Sequence, residues 1–537
     1  MKRHMRDNYY IVGEGTMYCD HSGKPTTDPK PGDVPEMRKF RFSRLGPKGV
    51  PVKRTLLEAL ANAMTASPGD ESASPTVPAG FTYLGQFIDH DLTLDKTAVA
   101  LGKHVTLDEL LQGRSPALDL DCMYGRGPSN AEDSKFYSDG IRIKVGKTAS
   151  SPDLQNGNNP LPPRDGADLP RVGEGSTKKD RRRSLIPDTR NDENLIVAQT
   201  HLAMIHFHNR VVNHIASSTP SAVLFETARE LVVKHYQWMI KTDFLPRLID
   251  PAVVSDVFAN GRKFFEKDAP PANMPTMPIE FSVAAYRLGH SMIRVQYNWN
   301  RIFKVGGFTP GLLVLLFSFS GTSGTLSPPG TPPENENEQL PSNWTVDFRE
   351  LYDFTEVGRT DLTVPEGGPN IAMKIDTQLV DPLKTLPDGS IGDPSVTPID
   401  RNLAFRNLMR ANMVDLASGQ QMASLMGLTP IAPAKLIKGL PASLKEIGTH
   451  TPLWYYILRE AELNGGKLTG VGGRIVAETF HRAMEGSVHS IVRDPSFRPR
   501  ALVTNPGDRF DMTDLLLFAF EGQKALLAPL GDQTAGP

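Results

Sequence analysis

Cysteine is nearly missing from this chain: two residues in 537, Cys19 and Cys122. One bridge is the most they can form, so no disulfide framework staples the fold, and a reducing compartment is the expectation. Long hydrophobic runs are missing too. The longest, Leu312 to Phe319, is far below the roughly 20 residues needed to cross a bilayer, and is expected to be a buried helix or strand. No apolar run follows the basic start Met1 to Asp7, so no signal peptide is expected. The location is taken as cytoplasmic, or reached by a non-classical route. Charge of one sign is also lacking. The net charge of -2 leaves no basic field, which argues against nucleic acid as the main partner. No internal repeat is visible and strand signals are few, so the expected fold is mainly α.

What is present is ordinary for a soluble globular protein: 39% hydrophobic and 22% charged residues. Residues 1–54 read as an irregular arm, 55–520 as one large helical domain with long surface loops and little β, and 521–537 as a tail. Helical spacing of Leu56, Leu57, Leu60 and Met64 predicts a helix from about Arg54 to Met64. Residues 67–78, 135–184 and 321–343 read as loops, and the basic run Lys178 to Arg183 as a solvated part of one. Further helices are expected from about 188 to 215, 222 to 240, 281 to 294, 401 to 426, 452 to 464, 471 to 485 and 512 to 518.

The chemistry concentrates in a few stretches. In Gly85-Gln86-Phe87-Ile88-Asp89-His90-Asp91, a histidine sits between two carboxylates in apolar surroundings. On a helix Gln86 and His90 share a face, while Asp89 and Asp91 diverge and each needs a partner. In Ser115-x-Ala117-x-Asp119-x-Asp121, alternate residues offer oxygen atoms of the kind calcium takes six to eight of. Asp188, Thr189 and Asp192 are natural helix caps, which puts Arg190 and Glu193 at a helix start facing a pocket. His201, His206, His208 and His214 follow on that helix. No acidic third ligand accompanies them, so they are expected to be packed or solvated. Arg287, His290 and Arg294 fall on one helical stripe, where two guanidiniums suit the carboxylates of an anionic cofactor. Asn407 is a candidate partner for an imidazole N–H, with Arg410 one turn on.

Taken in order, these motifs resemble the peroxidase–cyclooxygenase superfamily, the animal-type haem peroxidases, over roughly Thr55 to Phe518. The likeness is nearest to bacterial members. It implies haem b and calcium as cofactors, and reduction of hydrogen peroxide with oxidation of a small organic or halide donor through an oxoferryl intermediate. His90 would be the distal acid–base, Arg190 the catalytic arginine and Gln86 the polar lining. His290 would ligate the haem iron. Asn407 would accept its N–H and tune its basicity, and Arg287 and Arg410 would bind propionates. Asp89 and Glu193 match the carboxylates that can form haem esters. Asn194 replaces a methionine that one mammalian member bonds to haem, so that link is not expected. Asp91, Ser115, Asp119 and Asp121 would bind calcium through side chains and Ala117 through its carbonyl. The usual aromatic and last serine of that loop are replaced by Ala117 and Asp121.

Two other functions fit less well. A fatty-acid dioxygenase of the superfamily carries a tyrosine three residues before the proximal histidine, where this chain has Arg287. Tyr286, one position earlier, should point elsewhere on a helix. A non-catalytic haem-binding or adhesion module has no need of the pair His90 and Arg190.

Overall fold

The computed structural model describes residues 40–532 apart from 67–72, 98, 308–309, 324–325, 327–336, 366, 387–396 and 504. Before residue 40 it describes the short strands Tyr18–Cys19 and Pro25–Thr26. Most of the expected N-terminal arm therefore lies outside the described residues. The architecture is mainly helical, with 48% helix and 8% strand. Strands occur only as two-stranded pairs among the described residues. No described helix is long and apolar enough to cross a membrane.

Eight helices carry the frame: α1 (Arg54–Met64), α2 (Gly80–Leu92), α3 (Leu195–Ile215), α4 (Ser221–Met239), α5 (Leu403–Met413), α6 (Leu453–Leu463), α7 (Gly470–Gly486) and α8 (Met512–Ala519). In α1 the buried residues Leu57, Leu60, Ala61 and Met64 form the stripe that packs on α5. Helix α3 packs against α2, α4 and α8, and α6 packs against α7. Buried residues on every face of α2 and α3 mark them as central rather than surface helices. One continuous apolar core runs through all eight, from Phe42 to Leu527.

Helix α2 enters close to a neighbouring backbone. Gly80 N donates to Leu351 O at 2.9 Å. A Cβ at Gly80 would lie 2.4 Å from the Tyr352 ring, so only glycine fits. Just before it, β1 (Ala73–Pro78) pairs antiparallel with β2 (Ile371–Met373). This corrects the expectation of a loop over residues 73–78. A partner almost 300 positions away supplies hydrogen bonds that local spacing does not reveal.

Other elements differ from expectation. The segment 281–294 is not one α-helix. It is a π turn (Glu280–Ala284) followed by a 3-10 helix (Ala285–Met292). Chain contacts hold the turn in place: the buried Glu280 carboxylate accepts Leu45 N and Gly46 N, each at 2.9 Å. Arg294 lies past the helix and donates to Ile371 O at 2.7 Å, so it leaves the stripe it was assigned to. The stretch 401–426 divides into α5 and a second helix, Gly419–Leu425, around Asp415 with φ +47°. The excursion 135–184 is partly core, since Phe136 and Leu169 are buried. Residues 340–344 join it there through Leu340 and Trp344. Lys178–Arg182 is a short helix with Arg182 buried, and Arg181 pairs with Glu338 at 2.8 Å. Leu313–Ser318 is a short helix, half-buried rather than internal, with Val314 exposed.

Candidate active site

Helix α2 delivers Gln86, Asp89 and His90 to one cavity of about 660 Å³. His90 is buried, and its Nδ1 lies 2.8 Å from Asn191 Oδ1. The Asn191 Nδ2 lies 2.8 Å from His201 Nδ1. On the cavity side His90 Nε2 is 3.6 Å from Glu193 Oε1. Gln86 donates to that same oxygen and accepts from Asn194 Nδ2 at 3.1 Å. Burial, reinforced by the Arg190 guanidinium, holds the His90 imidazole below its ordinary pKa, so it stays neutral. Asp89 lines the cavity and accepts the Thr93 hydroxyl at 3.1 Å.

The segment bearing Glu193 is a 3-10 turn, Thr189–Asp192, capped by Asp188, whose side chain accepts Arg190 N at 3.1 Å. The cap of the long helix α3 is Asn194, through Val197 N at 2.9 Å, and not Thr189 or Asp192. Arg190 departs from expectation. Its guanidinium donates to the Asp188 carboxylate at 2.7 Å and to the His90 carbonyl at 3.0 Å. It lines a second cavity of about 390 Å³ behind His90 rather than the first. The reason is Asp188, which Arg114 grips from its other side. Burial alone would raise that carboxyl, but Arg190 and Arg114 outweigh it and hold it well below its usual range. Arg190 thus acts on His90 through its field and its hold on the His90 carbonyl.

The 3-10 helix brings Arg287 and His290 to the same cavity, since three residues per turn puts i and i+3 on one line. Helix α5 adds Arg406, Asn407 and Arg410. Burial, with Arg287 and Arg410 close by, pushes His290 down to about 3. Its Nδ1 lies 2.8 Å from Asn407 Nδ2. Nearness was expected, but the amide presents its nitrogen and not its oxygen, so Asn407 donates here rather than accepts. A half turn of the terminal amide exchanges the two atoms. Tyr286 also departs from expectation. It lines the cavity, stacked on Phe281 with ring centroids 4.6 Å apart, because a 3-10 helix sets successive side chains differently from an α-helix. Its buried hydroxyl has no hydrogen-bond partner among the described residues.

Segment 317–323 also borders the cavity and was missed from sequence. Phe317, Ser318, Thr322 and Ser323 line the cavity. Ser320 Oγ donates to Glu193 O at 3.0 Å and Thr322 N to Asp192 O at 3.1 Å. Asn191 and His201 were missed as site residues too. They are ten positions apart on two elements, and no spacing rule joins them. The other three histidines of α3 are packed or solvated, as expected: His206 meets Gly166 O, His208 meets Tyr124 and Ile141 O, and the exposed His214 meets the Phe518 ring edge to face.

Behind α2, Asp91 turns to the acidic loop. Its carboxylate accepts Leu120 N at 3.2 Å and Cys122 N at 3.4 Å. Leu120 takes φ +58°, a conformation L residues seldom adopt, at the point where these amides meet Asp91. Burial first, and then the Asp121 carboxylate, push Asp91 up to about 8. Asp119 is bound by the Ser487 hydroxyl and Val488 N, Ser115 Oγ accepts Ala117 N at 3.3 Å, and the Ala117 carbonyl accepts Asp119 N at 3.0 Å. Among the described residues no group of three or more His, Cys, Asp or Glu is gathered as a ready metal site. Cys122 is buried and unbridged.

Residues 97–304 match the family model for animal haem peroxidase. Over that stretch, less than half of its length, the chain is similar to the animal haem peroxidases. The matched stretch contains the acidic loop, Arg190, Glu193, Arg287 and His290, and begins just past His90. A peroxidase-like protein of Margaritifera margaritifera is 26% identical over 187 residues, which are 34% of this chain and 22% of that relative. Peroxidase A of Dictyostelium discoideum has the same fold at 14% identity, with a TM-score of 0.52 over 91% of this chain and 94% of its own. The fatty acid alpha-dioxygenase of Arabidopsis thaliana does so at 12% identity, with a TM-score of 0.54 over 99% of this chain and 88% of its own. The fold is thus one shared by a peroxidase and a fatty acid alpha-dioxygenase.

The matched family model is one of haem enzymes, and the donor set suits haem. His290 is half-buried and held neutral, as a nitrogen ligand of iron must be. Arg410 is pushed down to about 10, by burial first and then by Arg287, a strain that two propionate carboxylates would relieve. The cavity volume is in the range of cofactor sites.

Proposed function

We propose that this chain is a haem-dependent peroxidase that reduces hydrogen peroxide and oxidises a small organic or halide donor. The observation that carries the reading is the meeting of His90 and His290 in one cavity, with Gln86 and Glu193 beside the first and Asn407 beside the second. His290 would hold the haem iron, with Asn407 turned so that its oxygen accepts the Nδ1 proton. Arg287 and Arg410 would bind the propionates. Bound haem would supply the redox chemistry. The protein's part is proton transfer: His90 Nε2 takes a proton from one peroxide oxygen and returns it to the leaving oxygen. Arg190 keeps His90 neutral and contributes positive potential where negative charge develops. Gln86 holds Glu193 to one side of that path.

Two attachments extend the proposal. Asp89 and Glu193 both line the cavity and could form ester links to haem. Acid–butanone extraction of peroxide-treated protein should then leave haem on the polypeptide. Asp91, Ser115, Ala117, Asp119 and Asp121 would close around calcium.

The test is the absorption spectrum of haem-loaded protein before and after one equivalent of hydrogen peroxide. A Soret band that shifts with peroxide and returns on adding a phenol is the expected result. A band that ignores peroxide sinks the peroxidase reading but keeps the cofactor. A second reading, fatty-acid oxygenation, is favoured by one observation. The Tyr286 phenol is buried and unpartnered in a cavity with apolar walls at Phe81, Phe244, Leu248 and Ile293. Oxygen uptake with a long-chain fatty acid, lost in Tyr286→Phe and absent with phenols, would replace the first reading with this one.

A further inference from the structure

The side chain of Asn191 bridges two buried imidazoles. Its oxygen faces His90 Nδ1 and its nitrogen faces His201 Nδ1, each at 2.8 Å. All three side chains are sequestered: Asn191 and His201 have no exposed surface and His90 has 5%. His201 is pinned in turn by Phe87, ring edge to face at 5.6 Å.

An amide nitrogen only donates, so His201 Nδ1 must be the bare nitrogen of its ring. An amide oxygen only accepts, so the His90 proton must sit on Nδ1. His90 Nε2, the atom facing the cavity and Glu193, is then the bare nitrogen. We propose that Asn191, anchored by His201, is a positioning residue that fixes His90 in the Nδ1–H tautomer and so makes Nε2 the base. This rests on the peroxidase reading, which needs a bare nitrogen in the cavity. Both partners are imidazoles, so the mirror arrangement is the rival: His201 donates to the amide oxygen, the amide nitrogen donates to His90 Nδ1, and the His90 proton sits on Nε2, where it could not act as base.

The His201 Nε2 has no partner among the described residues. A buried imidazole with one nitrogen unsatisfied is poor packing for its own sake. Holding the amide in one orientation gives it a use.

Two readouts separate the cases. The first is the 15N shift of the His90 ring nitrogens in haem-free protein labelled at histidine, assigned with His90→Gln. Wild type should show a protonated Nδ1 and a bare Nε2. Asn191→Leu should lose that preference. Asn191→Asp, whose carboxylate still accepts from Nδ1, should keep it, and His201→Phe should weaken it. The second is ligand binding to haem-loaded protein. Hydrogen cyanide binds by breaking its H–C bond, with the proton going to His90 Nε2 and the cyanide carbon to ferric iron. Nitric oxide transfers no proton. A positioned base is worth about 10²–10⁴-fold, so Asn191→Leu should slow cyanide by about tenfold or more. Nitric oxide should bind at the wild-type rate, and Asn191→Asp should restore cyanide. Loss of both ligands' rates together would mean a merely structural role and overturn the proposal. So would a wild-type His90 protonated at Nε2. If the protein takes up no haem, the peroxidase reading fails while the tautomer measurement still decides the role of Asn191.

Discussion

At the residue scale, the two histidines of the cavity differ in what their removal should do. His90→Ala leaves the proximal wall intact, so haem content should be kept. The absorbance change after peroxide should slow by about 10²–10⁴-fold in stopped flow. A near-wild-type rate would remove the acid–base role. His290→Ala takes away the only candidate axial nitrogen from the 3-10 helix, so haem should be lost or its Soret band altered. Full haem content with an unchanged spectrum would refute the ligand assignment. Arg190 is the subtler residue. Asp188 holds its guanidinium beside the His90 backbone, so the arginine works at one remove from the cavity. Its type was legible in the pattern Asp188-Thr189-Arg190. Its orientation was not, because Arg114 lies 76 positions upstream and grips the same carboxylate.

At the element scale, the segment 317–323 runs off the end of the short helix Leu313–Ser318 and is held beside Glu193 by close contact. Gly321 packs so tightly on the ion pair of Arg171 and Asp192, 2.5 Å long, that a Cβ there would lie 1.9 Å from the Asp192 carboxylate. Both charged groups are buried and cannot step aside. Gly321→Ala should therefore cost about 1–3 kcal/mol, as overpacking does, and loosen the segment beside Glu193. The check is a thermal melt together with the binding rate of a bulky phenol. An unchanged melting temperature would mean that the segment is not locked by this contact. The 3-10 helix is the other decisive element. Its geometry puts Arg287 and His290 in line and also turns Tyr286 into the cavity, which an α-helix at the same residues would not do.

At the scale of the whole molecule, the acidic loop ties α2 to the body of the fold through Asp91. With its folded pKa raised to about 8 against about 4 for a free aspartate, the folded state holds a proton that the unfolded state gives up. The stability from that proton is complete below about pH 4 and is lost as pH rises through about 8. A bound calcium ion would remove this loss by supplying the opposite charge. The melting temperature of chelator-treated protein should fall between about pH 6 and pH 8, and calcium chloride should restore it more at the higher pH. A calcium effect that does not grow with pH would count against Asp91 as a ligand.

The sequence by itself determined the mainly helical class, the lack of a disulfide framework and the candidates that the fold gathers at one cavity: His90, Glu193, His290, Asn407 and Arg287. These follow from residue type and short-range spacing, which survive without knowledge of the fold. Helices α1, α6, α7 and α8 were legible for the same reason, since their buried stripes recur at helical spacing. Only the tertiary structure decided the rest. It paired residues 73–78 with 371–373, broke 281–294 into a π turn and a 3-10 helix, drew Arg190 back onto Asp188, and brought Asn191 and His201 behind His90. Each of these depends on a partner distant in the chain or on another element. Burial makes such contacts strong, because water no longer competes for them, and no local pattern records which partner will be there.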